Sequence, residues 1–166
     1  MWGLMIVSYL CIAISIILLA ITGLQGYFQF HLMQANHPTF ALFTAIFYMF
    51  TETLVMFYFI GSGTAIKKSI KMGGGEPSLY EKVKKTKMIL FPHLTMNMLF
   101  IGTVFILGGA VQTGSVPGWM HGLLFDLAFI HFLYVIVIQH RGFKENVEII
   151  GKIAIIDGTA ANKSPA

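Results

Sequence analysis

Four histidines, two carboxylates and one amide stand in or at the mouths of stretches that are otherwise apolar: His37, His93, His121, His131, Glu52, Asp126 and Asn97. Imidazole and carboxylate are side chains that ligate iron, copper and zinc, and imidazoles from different helices hold b-type haem. The same groups can pass protons. Inside lipid each of them is costly, so each is expected to face a protein interior, to have a partner and to mark a functional site.

Depth decides which of them could meet. At a rise of about 1.5 Å per residue, Glu52 and His131 both lie roughly 20 Å below one membrane surface. His93 enters from the opposite side and, in a core of about 30 Å, reaches a similar level. His93 with His131 is therefore the expected inner haem pair. His37 and His121 match within about 8 Å of depth near the outer surface and form the expected outer pair. Both pairs together would make an electron path across a membrane. The alternative chemistry is a metal site built from His93, His131 and Glu52, one ligand per helix, since no H-E-x-x-H or E-x-x-H spacing occurs. Glu52, Asp126 and Asn97 form the expected polar network and would partner one another and the histidines. No residue is assigned a catalytic role. Covalent haem is excluded because no C-x-x-C-H is present. The single cysteine, Cys11, excludes a disulfide framework within the chain and a cysteine metal site.

Positioning these groups falls to four apolar runs, about 3–24, 39–62, 88–111 and 118–140, each near the roughly 20 residues a helix needs to cross the hydrocarbon. The composition agrees: 56% hydrophobic, 11% charged, mean hydropathy +0.76 over 166 residues, against about a quarter charged in soluble domains. The expected fold is all-α, an antiparallel four-helix transmembrane bundle over residues 1–142 with a cytoplasmic tail at 143–166. Lys67, Lys68, Lys71, Lys82, Lys84, Lys85 and Lys87 lie between the second and third runs, and Arg141, Lys144 and Lys152 follow the fourth. The segments 25–38 and 112–117 contain neither Lys nor Arg. The positive-inside rule places both termini and the basic loop in the cytoplasm. The expected location is a bacterial inner membrane, crossed four times. The first run has no basic residue before it and is long, so it reads as an uncleaved helix, not a signal peptide.

At 100° per residue, Ser8, Cys11, Ser15 and Thr22 share a stripe of the first run, the pattern of a packing seam. On the second, His37, Thr44, Tyr48, Thr51 and Glu52 share a face continued by Ser62. On the third, His93 and Asn97 share a face, with Pro92 in its first turns, where a proline is tolerated. The tail after Arg141 reads as a short surface helix followed by an unstructured "GTAANKSPA".

Several classes are excluded. A soluble-substrate enzyme has no domain to occupy, and the lysine loop is explained by insertion and anionic lipid without nucleic acid. "KMGGGEPS" lacks the spacing of a phosphate-binding loop. The four-span layout and histidine placement resemble the small haem-b membrane anchors of respiratory complexes, a resemblance that carries over no catalytic residue. The leading expectation is a small membrane subunit, at most a redox subunit, binding haem b for electron transfer or quinone chemistry. The alternative is a non-catalytic accessory or assembly subunit. The expected partners are lipid and other membrane subunits or further copies of the chain.

Overall fold

The computed structural model describes residues 2–32, 34–73 and 75–161. They form four helices, α1 (Trp2–Phe28), α2 (His37–Lys71), α3 (Pro77–Gln112) and α4 (Gly118–Ala161). All four are long and apolar enough to cross a membrane, so this is a small all-helical membrane-spanning protein. The connections are short. Asn36 caps α2 by accepting from the Thr39 backbone N–H at 3.1 Å and the Thr39 hydroxyl at 2.8 Å, with Pro38 in the first turn, where the missing N–H costs nothing. At the end of α3 the chain turns through Gly114 at φ +73°, a backbone region open to glycine.

The pattern is inverted relative to a water-soluble bundle, as lipid requires. On α1 the buried positions are Ser8, Ile12, Ser15, Leu19, Thr22 and Gln25, while Ile6, Leu10, Ile14 and Ile17 point outward. The polar seam is used: the Ser15 hydroxyl donates to Thr51 Oγ1 at 3.0 Å and Thr22 to Thr44 Oγ1 at 2.9 Å. Residue numbers rise along α1 as their α2 partners fall. Cys11 is only half-buried, and Ile12 takes the seam position beside it.

α1 packs on α2, α2 on α3, α3 on α4 and α4 back on α1, while α2 and α4 meet across the diagonal. That diagonal keeps one register along its length. His37 faces His121, Tyr48 packs edge-on against Phe132, and Ser62 accepts from Asn146, each pair 84 residues apart. A tight apolar core of Val55, Phe59, Leu90, Leu94, Val135 and Phe143 fills the middle of the bundle. Beyond it, at the end carrying the lysines, Ile66, Val83, Ile149 and Ile153 close a smaller core made by α2, α3 and α4 alone.

Three expectations change. The basic segment is mostly helix, because α2 runs to Lys71 and α3 starts at Pro77. Pro92 therefore sits well inside α3 and not in its first turns; there it removes a helical N–H and its ring crowds the preceding turn. The tail is continuous with α4 through Ala161, since Phe143, Asn146, Ile149 and Ile153 recur at helical spacing and are buried. Residues 162–166, the end of the stretch expected to be unstructured, lie outside the described residues.

Candidate functional site

At the end of the bundle where α1 joins α2 and α3 joins α4, the four helices part around a cavity of about 1420 Å³. Pockets for small ligands typically measure about 300–1,000 Å³, so there is room for a large cofactor. His37 from α2 and His121 from α4 project into it from opposite corners, their ring centres 6.1 Å apart and their planes at 74°. A metal ion held between two imidazoles at about 2 Å from each would put their ring centres roughly 6 Å apart.

The second layer repeats. A β-carbon at Gly26 of α1 would lie 3.3 Å from His37 Cε1, and one at Gly108 of α3 would lie 3.3 Å from His121 Cε1. Each imidazole thus rests on a glycine of the helix that precedes its own. The Thr22 carbonyl faces His37 and the Val104 carbonyl faces His121, each one turn before the glycine. Neither Nδ1 makes a hydrogen bond of normal geometry, although both are buried. In a metal-bound histidine the second ring nitrogen usually donates to such a carbonyl, a bond that neither Nδ1 makes here. The two hairpins, α1–α2 and α3–α4, therefore repeat one arrangement, an imidazole over a glycine, and two imidazoles beside a large cavity of mixed apolar and polar lining are residues that could hold a haem.

The expected inner pair is differently placed. His93 and His131 do meet, with ring centres 5.6 Å apart and His93 Nδ1 3.4 Å from His131 Nε2. They lie half-buried on the α3–α4 seam, against Tyr134, which is largely exposed. The other His131 nitrogen, Nδ1, is 2.7 Å from Asn97 Oδ1, and Asn97 Nδ2 donates to the Tyr48 hydroxyl at 2.6 Å. Both nitrogens of His131 are thus already engaged within the protein.

Glu52 does not join this pair. It is wholly buried, and its Oε2 accepts from Gln139 Nε2 at 2.7 Å. The diagonal register explains why: His37 is level with His121, so Glu52, fifteen residues on, lies beyond His131, which is ten on. Among the described residues no group of three or more His, Cys, Asp or Glu side chains is placed to hold a metal ion. Asp126 likewise finds a partner other than Glu52, His93 or Asn97. It is exposed, lines the cavity, and accepts from the Tyr27 hydroxyl at 2.7 Å.

Gln25, Gln139 and Asn146 are buried polar residues not singled out from the sequence, nor were Gly26 and Tyr27. The Gln139 signal was available: a lone amide near the end of an apolar run must bond within the protein. Gly26 was not legible, because a glycine at a helix end ordinarily reads as a terminator. No family model, no curated protein and no solved structure matches the chain.

Proposed function

We propose that the protein is a redox subunit of a membrane complex in which His37 and His121 hold one b-type haem non-covalently. The observation that carries the reading is the His37–His121 pair, two imidazoles from diagonal helices facing each other inside a large cavity. When bound, haem supplies one-electron chemistry. The chain's own residues would hold and tune it: the His37 and His121 imidazoles as ligands, the Thr22 and Val104 carbonyls as their supports, and Gly26 and Gly108 as the space that admits them. In this reading successive helices are antiparallel, the lysine end and both termini are cytoplasmic, and the cavity faces the outer side of a bacterial inner membrane. A second haem at His93 and His131 has less support, because His131 is already bonded to Asn97 and His93.

A second reading, a non-catalytic accessory or assembly subunit, is favoured by a different observation. Many of the buried polar side chains bond one another, as in Ser15–Thr51, Thr22–Thr44, Glu52–Gln139 and Ser62–Asn146, and such bonds serve helix packing as well as chemistry. Other membrane subunits or further copies of the chain would then cover the outward faces.

A reduced-minus-oxidised absorption spectrum of the purified protein in mild detergent, with iron analysis of the same sample, separates the two. A b-type α-band supports the haem reading. A sample without band or iron, prepared from cells making haem in excess, supports the accessory reading.

A further inference from the structure

Glu52 is 0% exposed and its amide partner Gln139 1%. Their pairing uses only half of what the two groups offer. Gln139 Nε2 donates to Glu52 Oε2 at 2.7 Å, while Glu52 Oε1 and Gln139 Oε1 are both buried without a partner. Within one turn of them along their helices stand Val55 on α2 and Val135 on α4, both fully buried and apolar. Among the described residues the ion pair found is Lys84–Glu81, at the surface, so no cation compensates Glu52. Tyr48, one turn away on the same helix, is the titratable group that shares its field, and its hydroxyl accepts from Asn97. Ser15 of α1 is bonded to Thr51.

An ionised carboxylate only accepts hydrogen bonds, as does an amide oxygen. Two unsatisfied acceptors in one apolar site, one of them charged, cost several kcal/mol in a membrane interior. A single proton removes both deficits. We propose that Glu52 is a proton-binding site: it carries an exchangeable proton on Oε1 and donates it to Gln139 Oε1, closing a two-bond acid–amide ring with the bond already present. Loading the site adds one proton to Oε1 and breaks no covalent bond; unloading returns that proton to solvent and leaves both acceptors exposed to each other. Gln25 Oε1 and Asn146 Oδ1 are also buried without partners, but each stands on an amide bonded to other groups, where no proton can be added. The inference is independent of whether His37 and His121 hold haem.

Infrared spectroscopy of the full-length protein in lipid vesicles, with hydrogen–deuterium exchange, tests it. At neutral pH the parent shows a protonated-carboxyl C=O band, sensitive to deuteration, that is absent from Glu52→Gln. In Gln139→Leu the band persists but moves to higher frequency, because its hydrogen-bond acceptor has gone. Glu52→Gln, which can form the same two-bond ring, keeps the thermal midpoint of the parent, and Glu52→Leu loses it by several degrees. Loss of an ionised-carboxylate band in Glu52→Gln, or a C=O band unmoved by Gln139→Leu, overturns the proposal.

Discussion

Two stretches of the α2–α4 diagonal, its middle and the end carrying His37 and His121, treat the same register in opposite ways. Around Val55, Phe59, Val135 and Phe143 the diagonal is filled, with the rings of Tyr58, Phe59 and Phe143 packed edge-on or tilted at centre distances of 4.8–5.2 Å. Around His37 and His121, the same two helices border an open-sided cavity of about 1420 Å³. Close packing is the rule of protein interiors, and a void forfeits dispersion energy along its whole lining. The proposed function takes the filled part as scaffold and the hollow part, with its paired imidazoles, as the site. Small residues mark the difference: Gly23, Gly26 and Gly108 stand where side chains would close the space, and a β-carbon at Gly23 would come within 2.6 Å of Phe125.

If the filled half is scaffold, Phe143→Ala should have the largest effect on stability. Its side chain is fully buried against Tyr9, Tyr58 and Phe59, and its loss should cost about 3–5 kcal/mol in detergent unfolding, with haem retained in the folded fraction. If the hollow half is the site, Gly26→Leu or Gly108→Leu should do the reverse. Haem affinity should fall about 10–100-fold, as for other changes behind a ligand, with helix content unchanged in circular dichroism. Asn97→Leu tests the seam between them. It strips partners from His131 and Tyr48 and should cost about 1–3 kcal/mol, without altering the haem spectrum. Tyr27→Phe at the cavity rim removes a bond to an exposed carboxylate and should shift stability by less than about 1 kcal/mol. A haem spectrum lost in Asn97→Leu and kept in Gly26→Leu would reverse the assignment of the two regions.

How much of this was legible follows from what a sequence encodes. Apolar length and helical periodicity marked the four helices and the polar face of α2, and Thr44, Tyr48, Thr51, Glu52 and Ser62 are all buried. Both histidine pairings were legible as well, because depth along a helix is a count of residues. Rotation about the axis was not, since it is set by packing between helices. So His131 reads as central from its depth, yet it lies on the α3–α4 seam, while His121, about 80° around the same helix, faces the cavity. The level of Glu52 differs from the expectation for a related reason. Depth was counted from the ends of the apolar runs, and the α2–α4 register sets it about five residues, roughly 8 Å, beyond His131. The partner of Asp126 was hidden because Tyr27 lies in the last turn of α1, at the edge of its apolar run.

The most direct test compares two double variants, His37→Ala with His121→Ala and His93→Ala with His131→Ala, by haem-to-protein stoichiometry after identical haem loading in detergent. The account predicts about one haem per chain in the parent and in the seam variant, and none in the cavity variant. Haem retained when both cavity histidines are gone, and lost with the seam pair, would contradict it.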